Sequence, residues 1–296
     1  MLELGSEAHE KYREAGDVLA TVLEEAAERV AVGESHLSVA EFAEDRIEEL
    51  GARPAFPVNI SVDEEASHAS PGPDDDATFG EEVVCLDVGV HVDGYIADAA
   101  TTVDLRGVPD LVAAAEDGLA AAIDAVEPGV HTGQVGAAIE EAVTAHDYRP
   151  IVNLTGHGLA HWDAHTGPNI PNRAMDSGVE LEPGHVVAIE PFATDGSGKV
   201  TEGAKTEIYS LVEDRTVRQR QARQLLETVR EEYRELPFST RWFDGARNRM
   251  AIQNLERAGV LRSYPVLKED DGVLVSQAEH TVIVTEDGCE VTTRQD

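Results

Sequence analysis

The sequence predicts an α+β protein, in which helical segments and strands follow one another without a regular repeat. Two helical patterns come first and are followed by a strand–turn–strand signal. Two further helical patterns then precede a series of short apolar strands. This order of helix, helix, hairpin, helix, helix and strands is typical of the α+β class.

The first two helices are predicted from periodicity and from their end signals. Apolar side chains recur every three or four positions through residues 6–32, up to Gly33. The second helix is predicted to open with Ser38-Val-Ala-Glu41, which fits a capping box, and to end at Gly51. Irregular proline-rich stretches follow and end the helical pattern.

A β-hairpin is predicted next. Residues 83–92 read VVCLDVGVHV, an apolar and β-branched run, and Asp93-Gly94 follows directly. An Asp-Gly pair between two apolar runs is a strong signal for a two-residue hairpin turn. Further helices are predicted at 110–126 and 132–146, and further strands at 185–192, 205–212 and 280–285.

The stretch 217–262 interrupts this strand layout. It is rich in arginine and mostly helical in pattern on both sides of ELPFSTRWFDG. We interpret this region, taken broadly as 215–270, as a helical insert subdomain. The whole chain, 1–296, is then predicted to be one domain.

Charge is the most unusual bulk property of the chain. Its 58 acidic and 23 basic residues give a formal net charge of −35. Such a surface repels itself at low salt, so we expect a salt-loving host, with an acidic partner-binding face as the alternative. In either case the surface lacks the basic footprint that direct binding of nucleic acid requires.

The sequence also bears on location and redox chemistry. No run of 18 or more apolar residues occurs, so neither a transmembrane helix nor a membrane partner is predicted. The charged N-terminus lacks the apolar core of a secretory signal, which indicates the cytoplasm. Cys85 and Cys289 form no CxxC pair and suggest neither a disulfide framework nor a thiolate metal site.

Two acidic residues of the predicted hairpin point to metal chemistry. If Asp93 and Gly94 form the turn, residue 89 faces 98, so Asp87 and Asp98 are diagonal neighbours on one face. Such neighbours lie roughly 7–8 Å apart, close enough for both carboxylates to reach one ion. Two acids among apolar residues are costly unless a cation neutralises them, and a solvent-facing hairpin is the alternative.

Three histidines follow in TGHGLAHWDAH, namely His157, His161 and His165. Their spacing superficially resembles a helical zinc motif. However, Gly158 stands where that motif has its general-base glutamate, and glycine is a poor residue for a helix interior. A helical zinc site is therefore not expected.

Two glutamates complete a candidate ligand set. Glu190 lies in AIEPF and Glu279 in SQAEHTVIV, each within or beside an apolar strand, where a partner arginine is the ordinary explanation. Taken together, four carboxylates and one imidazole carry a charge of −4, which two divalent cations neutralise. Such ligands suit manganese, iron, cobalt or zinc better than copper.

These residues lie in blocks that resemble the type II methionine aminopeptidases of the M24 peptidase family, in the branch found in archaea and eukaryotes. The blocks run the length of the chain in the family's order: PAFPVNIS, LDVGVHVDGYIADAATTV, NLTGHGLAHWDAH, IPN, AIEPFAT, LPFSTRW, YPVLK and QAEHTVIV. The resemblance implies the pita-bread fold, with two pseudo-symmetric halves around a dinuclear metal site and a helical insert.

The resemblance also implies a role for each ligand. Asp98 and Glu279 would bridge the two metals, Asp87 would bind one of them, and His157 with Glu190 would complete the other. Glu190 would in addition shuttle the proton of the bridging water. The catalytic histidines beside the scissile bond would be His68, in ASHASP, and His165, both of which would hydrogen-bond the substrate.

The implied reaction is removal of the initiator methionine from nascent chains, by attack of a metal-bridging hydroxide on the Met-Xaa peptide bond. The methionine pocket would be lined by Phe56, Pro57, Phe192 and Tyr264, although core packing is the ordinary role of such residues. Asn59 is a further substrate-binding candidate, with a turn as its alternative. A monomer is expected, and direct contact with the ribosome stays open.

Two other functions remain as alternatives. A related Xaa-Pro peptidase uses the same fold and ligands, but such relatives usually carry a separate N-terminal domain and lack this insert. A scaffold that has lost catalysis would be expected to have altered metal ligands, whereas all five are intact in this sequence.

Overall fold

The structure, a computed structural model, describes residues 1–213, 215, 217–243 and 245–294. Its α-helices span Glu7–Ala27 (α1), His36–Glu49 (α2), Pro109–Ala125 (α3), Thr132–Ala145 (α4), Arg220–Thr228 (α5) and Ala246–Arg257 (α6). A π-helical turn at Val229–Tyr233 continues α5, and a 3-10 turn covers Thr240–Trp242. None of the helices in the described part of the chain is long and apolar enough to cross a membrane.

The strands are mostly short. They span Arg53–Pro54 (β1), Asn59–Val62 (β2), Glu65–Ser67 (β3), Val83–Val92 (β4), Tyr95–Asp104 (β5), Arg149–Pro150 (β6), Thr155–Ala160 (β7), Asp163–Pro171 (β8), Val186–Ile189 (β9), Phe192–Thr194 (β10), Thr201–Leu211 (β11), Phe238–Ser239 (β12), Leu261–Lys268 (β13), Val275–Gln277 (β14), His280–Val284 (β15) and Cys289–Val291 (β16).

The first half of the molecule packs α1 and α2 on a four-stranded sheet. In that sheet β4 pairs with β5 along one edge and with β1 and β2 along the other. Leu19 and Val22 of α1 and Ile47 of α2 meet Leu86 and Val88 of β4 in one hydrophobic cluster. This burial places β4 at the centre of the half and makes it a rigid support for side chains on its other face.

The second half repeats this design with different strands. Helices α3 and α4 cover a five-stranded sheet in the order β16-β15-β9-β7-β8. The halves meet where Ala100 of β5 pairs its backbone with Glu279, and where Tyr12, Ile96 and Ile283 share a hydrophobic cluster. The mixed helices and sheets confirm the predicted α+β class.

The predicted insert lies on a separate sheet of order β12-β11-β13-β3. Its helices α5 and α6 pack together through Leu225, Leu226 and Ile252. Tyr209 of β11 and Leu261 of β13 close this cluster from the sheet, so the helices are attached to the strands that flank them.

The helix ends differ in part from the predictions. Helix α1 ends at Ala27 with Glu28 as its C-cap, before Gly33, where the sequence pattern predicts its end. The apolar side chain of Val30 follows the helix end and packs into the core. The prediction that Ser38 opens the second helix was wrong, since Ser35 accepts from the backbone N–H of Ser38 and caps it one turn earlier.

The predicted hairpin is confirmed with its register. Asp93 and Gly94 have φ values of 51° and 87°, as a type I′ turn requires, and Gly89 faces Asp98. The strand predicted at 185–192 is divided into β9 and β10 at Pro191, whose ring cannot donate a backbone hydrogen bond.

Candidate metal centre

Five predicted ligands come together from five separate places in the fold. Asp87 lies on β4, Asp98 on β5 and His157 on β7, whereas Glu190 and Glu279 occupy the breaks between β9 and β10 and between β14 and β15. All five line one cavity of about 230 Å³ between the two halves. Residues that are far apart in the sequence thus lie close together at this cavity between the two halves.

The hairpin brings the two aspartates to the cavity. Asp87 faces Ala100 and Gly89 faces Asp98, so the two acids are diagonal neighbours on one face of the β4–β5 pair, as predicted. The backbone N–H of Asp98 donates to the Thr281 hydroxyl oxygen at 2.7 Å, and that hydroxyl donates to the Asp98 carbonyl at 2.8 Å. This exchange joins the first half to β15 of the second half.

His157 connects the acids of the two halves. Its Nε2 lies 3.8 Å from an Asp98 carboxylate oxygen and 3.5 Å from one of Glu190. Asp98, His157 and Glu279 each offer a ligand atom, and these atoms all lie within 4.8 Å of one another. Burial lowers the pKa of His157 to about 3, so its imidazole is neutral and has a lone pair for a cation.

Glu279 is held in place by its neighbours. Its backbone exchanges hydrogen bonds with Ala100, and its carboxylate accepts from the Gln277 side-chain N–H at 3.0 Å. Glu190 is positioned by the side chain of Asn172, which donates to its carbonyl at 3.1 Å. Gln277 and Asn172 were not predicted, although Gln277 stands two positions before Glu279 on the same face of the chain.

Three of the four carboxylates, those of Asp87, Asp98 and Glu279, are buried, and that of Glu190 is half-buried. Asp98 is 3% exposed and Glu279 2% exposed, and no lysine or arginine forms an ion pair with any of the four within the described ranges. Burial raises the pKa of Asp87 to about 7. Burial and mutual repulsion hold the pKa values of Asp98, Glu190 and Glu279 well above the usual range.

This arrangement fits divalent cations. One oxygen of Asp87 and one of Asp98 are buried and have no hydrogen-bond partner in the described part of the chain. Buried anions without partners are strongly unfavourable, and two divalent ions would neutralise the charge of −4 on four ionised carboxylates. Oxygen ligands with one imidazole nitrogen suit manganese, iron, cobalt or zinc.

Two further histidines lie at the cavity wall. The ring of His165 is 4.4 Å from that of His157, and the ring of His68 is 5.4 Å from that of Tyr264. Burial lowers the pKa of His68 to about 4 and also lowers the pKa of His165, so both are neutral near pH 7. His161 lies elsewhere, stacked on Tyr95.

The predicted substrate-binding residues divide into two groups. Phe56, Asn59, His68, His165 and Tyr264 line the cavity. Pro57 and Phe192 do not line it. Phe192 is fully buried in a hydrophobic cluster, which is the core packing that the sequence left open. Lining residues that were not predicted are Ser67, Asn153, Leu154, Thr155, Ile208, Pro237 and Leu267.

The sequence of this chain matches a known family of metallopeptidases. A model of metallopeptidase family M24 matches residues 10–286, which is most of the chain. The chain belongs to metallopeptidase family M24. Carboxylates and an imidazole gathered around one cavity are the kind of ligand set that a metallopeptidase centre requires.

Curated relatives within this family are similar along nearly the whole chain. A methionine aminopeptidase from Archaeoglobus fulgidus is 52% identical over 292 residues, which is 98% of this chain and 100% of the relative. One from Methanocaldococcus jannaschii is 45% identical over 97% of this chain and 99% of the relative.

Solved structures show the fold. Methionine aminopeptidase from Thermotoga maritima has a TM-score of 0.73 at 23% identity, with all of both chains covered. A thermophilic Arx1 has a TM-score of 0.85 at 17% identity, covering 99% of this chain and 92% of that one. The prolidase from Pyrococcus horikoshii reaches 0.65 at 15% identity, but this chain spans only 63% of it. The predicted pita-bread fold is confirmed.

Proposed function

We propose that this chain is a methionine aminopeptidase, which removes the initiator methionine from the N-termini of nascent proteins. The observation that carries the proposal is the cavity where four carboxylates and one imidazole meet. Family membership and full-length similarity to archaeal methionine aminopeptidases support the choice of reaction.

Asp87, Asp98, His157, Glu190 and Glu279 would hold two divalent ions. Asp98, His157 and Glu279 offer ligand atoms that all lie within 4.8 Å of one another, which suits a bound cation. Two ions bound there would polarise the scissile carbonyl and make water acidic near neutral pH.

Glu190 is proposed to move the proton. Its carboxylate lies at the cavity, 3.5 Å from the Nε2 of His157, where it would accept a proton from the attacking water. It would then pass this proton to the leaving amine. The side chain of Asn172 donates a hydrogen bond to the Glu190 carbonyl and holds the residue at the cavity edge.

The two wall histidines are proposed to bind the peptide group. The Nδ1 of His68 lies 3.2 Å from the carbonyl oxygen of Pro265, which can only accept. Nδ1 therefore carries the proton, and Nε2 is free to accept from a substrate amide N–H. His165 is neutral, so its ring N–H can donate to the carbonyl oxygen, where negative charge develops.

The side chain of the methionine would bind among the apolar residues of the cavity. Phe56, Leu154, Ile208 and Leu267 contribute apolar walls, and Tyr264 is fixed by a 3.0 Å hydrogen bond between its hydroxyl and Ser210. A small cavity of this kind suits an unbranched apolar side chain. A role of Pro57 and Phe192 in substrate binding stays a prediction. Because neither lines the cavity, Pro57 would act through its carbonyl, which accepts from Asn59, and Phe192 through its packing in the core.

We further propose that residues 1–296 form one catalytic domain of type II, with the insert at 215–270. Positions 214, 216, 244, 295 and 296 of this domain lie outside the described residues. The enzyme would act as a monomer in the cytoplasm of a salt-loving archaeon. The charge of −35 supports the salt requirement, and archaeal relatives support the host.

Proline-directed cleavage is the second candidate, because prolidases share the fold. This chain is 15% and 17% identical to two such prolidases, but 52% and 45% identical to the methionine aminopeptidases from Archaeoglobus fulgidus and Methanocaldococcus jannaschii. Sequence identity therefore favours methionine removal.

Hydrolysis of Met-Ala-Ser and of Ala-Pro-Ser in molar potassium chloride tests the proposal. Methionine should be released from the first peptide alone, lost with a chelator and restored by cobalt or manganese. Asp98→Asn should reduce kcat by at least about a thousandfold, because it removes a shared metal ligand. Cleavage of Ala-Pro-Ser instead would establish the proline-directed function, and full activity of Asp98→Asn would exclude the assigned centre.

A further inference from the structure

Asn59 presents an acceptor atom that receives no hydrogen bond from any of the described residues. The residue is 4% exposed and lines the cavity, and the unpaired atom is its Oδ1. A buried acceptor without a donor costs free energy, so such atoms are rare in native proteins. An acceptor kept unpaired at the wall of a substrate cavity is explained if a ligand supplies the donor.

The orientation of the Asn59 amide follows from its other contact. Its Nδ2 donates to the carbonyl oxygen of Pro57 at 3.2 Å. A reversed amide would place Oδ1 against that carbonyl, and two acceptors would then face each other. Oδ1 is therefore the atom left free.

A second asparagine of the same cavity shows the contrast. Asn153 donates from Nδ2 to the Val200 carbonyl at 2.8 Å, and its Oδ1 accepts from the Val200 N–H at 3.0 Å. Both polar groups of Asn153 are thus used within the protein. The unpaired oxygen of Asn59 is consequently not a general property of asparagines in this cavity.

The position of Asn59 indicates which part of a substrate it meets. Asn59 on β2 is directly opposite Asp87 on β4, so the two side chains are neighbours on one face of the sheet. Asp87 also has an unpaired oxygen, whereas His157 approaches Asp98 and Glu190 instead. Asn59 thus lies beside a proposed metal ligand, at the Asp87 side of the cavity, and its amide oxygen is the acceptor that no cation is needed to explain.

A peptide with a free N-terminus carries a group that can donate to the amide oxygen of Asn59. Its α-amino group offers several N–H donors on one atom, and an amide oxygen accepts from it without adding a further negative charge. A glutamate or aspartate at position 59 would add one more buried carboxylate to four that already raise one another's proton affinity.

We propose that Oδ1 of Asn59 accepts a hydrogen bond from the α-amino group of the substrate and thereby favours free N-termini. This inference rests on the proposed aminopeptidase function. Asn59 is then a substrate-binding residue that acts on the amino group, distinct from the apolar residues that surround the methionine side chain.

Calorimetric binding of two ligands tests this role in the metal-loaded protein. One ligand is methionine, and the other is 4-(methylthio)butanoate, which lacks only the amino group. Asn59→Leu should weaken methionine binding about ten- to a hundredfold, as expected for one hydrogen bond to a charged or strongly polar group. The affinity for the ligand without an amino group should change less than about twofold.

Two further variants keep the test informative. Ser61→Ala changes a buried residue of the same strand that is absent from the cavity wall, and it should leave both affinities unchanged. Asn59→Ser keeps an acceptor oxygen and should give an intermediate loss for methionine alone. Metal content is measured in each variant, so that a lost ion is not mistaken for a lost hydrogen bond.

The inference would be overturned if Asn59→Leu, at full metal content, weakened the binding of both ligands equally or of neither. Its outcome is separable from that of the proposed function. A wild-type chain that cleaves Met-Ala-Ser while Asn59→Leu loses no preference for the amino group contradicts only the role of Asn59. A wild-type chain that releases no methionine contradicts the proposed function, whatever the effect of Asn59.

Discussion

The ring of Phe56 lies on Gly89 so closely that a methyl group at position 89 would overlap the Cε1 and Cδ1 atoms of the ring. Gly89 is two positions from Asp87 on β4 and faces Asp98 on β5. The same ring lines the cavity. The absence of a side chain at Gly89 thus allows an aromatic wall of the cavity to contact the strand that carries a proposed metal ligand.

Gly89→Ala should therefore damage both stability and substrate binding. The ring must move to admit the methyl group, and overpacking of this kind costs about 1–3 kcal/mol. The displaced ring should raise KM for Met-Ala-Ser several-fold, with a smaller effect on kcat. Urea unfolding and steady-state kinetics measure the two effects.

Gly80→Ala is the matched control, because its new methyl group would meet the Glu82 carboxyl carbon at 3.6 Å, an ordinary contact. It should change neither quantity. An unchanged KM in Gly89→Ala, with the expected loss of stability, would show that the ring does not limit substrate binding.

The aspartate pair shows what the sequence can predict. Asp93-Gly94 determines the turn, the turn determines the register, and the register puts Asp87 and Asp98 on one face. Each step depends only on neighbouring residues. The arrangement was therefore predictable from the chemistry of one short segment, and the two helix pairs were predictable from periodicity for the same reason.

The partners of those residues depend on packing between distant segments. Thr281 bonds Asp98 across 183 positions, and no local pattern distinguishes it from any other threonine of a strand. The unpaired oxygen of Asn59 likewise depends on which donors the fold brings near. The spacing of His157, Glu190 and Glu279 in the sequence does not show that they lie beside the hairpin. Their meeting there was suggested by the family resemblance and by the summed charge of the five ligand residues.

Gln277 provides a test of how Glu279 is positioned. Its side-chain N–H holds one carboxylate oxygen of Glu279 at 3.0 Å, and both residues are buried. Gln277→Leu should weaken metal binding about ten- to a hundredfold, as loss of an outer-shell partner usually does. Activity measured against manganese concentration should show a higher half-saturation point.

The control in that experiment is the activity at saturating metal. If Gln277 only orients the ligand, excess manganese should restore most of kcat. Activity that stays low at saturation would instead indicate that Gln277 contacts the substrate.

Asp98→Asn should stabilise the metal-free protein, and the gain should grow with pH. Burial and like charges raise the folded-state pKa of Asp98 well above 3.8, so its carboxyl keeps a proton that the unfolded chain has lost. The metal-free wild type therefore loses stability as pH rises from about 4 through neutrality. The asparagine does not titrate, so the difference in Tm between the variant and wild type should widen from pH 5 to pH 8.

Comparison with wild type removes the titrations of distant groups such as His280, whose pKa is lowered by burial in both proteins. Asp98 helps to raise the pKa of Glu279, so the change at Glu279 is part of the measured difference. Asp17→Asn alters an exposed residue of α1 and should give a Tm difference that does not vary with pH. A constant difference for Asp98→Asn as well would mean that Asp98 is ionised without metal.

Repulsion among surface carboxylates gives a prediction about salt. Glu24 of α1 and Glu28, the C-cap residue of that helix, are about one helical turn apart, and they line the same groove as Glu116 of α3. Like charges at this helical spacing are destabilising by roughly 0.2–0.5 kcal/mol per pair. Changing all three to glutamine should therefore raise the free energy of unfolding in 0.1 M potassium chloride, where the Debye length is about 10 Å.

The decisive measurement is the same comparison in molar salt. With a Debye length of about 3 Å the three carboxylates no longer repel one another, so the variant and wild type should become equally stable. Glu10→Gln is the control, because Glu10 accepts from Arg13 at 2.9 Å, and its loss should bring no gain at low salt. If the triple variant kept its higher free energy of unfolding in molar salt, the gain would have to come from helix propensity or packing. Salt screens only the electrostatic contribution to that free energy. The high negative charge would then not be the cause of a salt requirement.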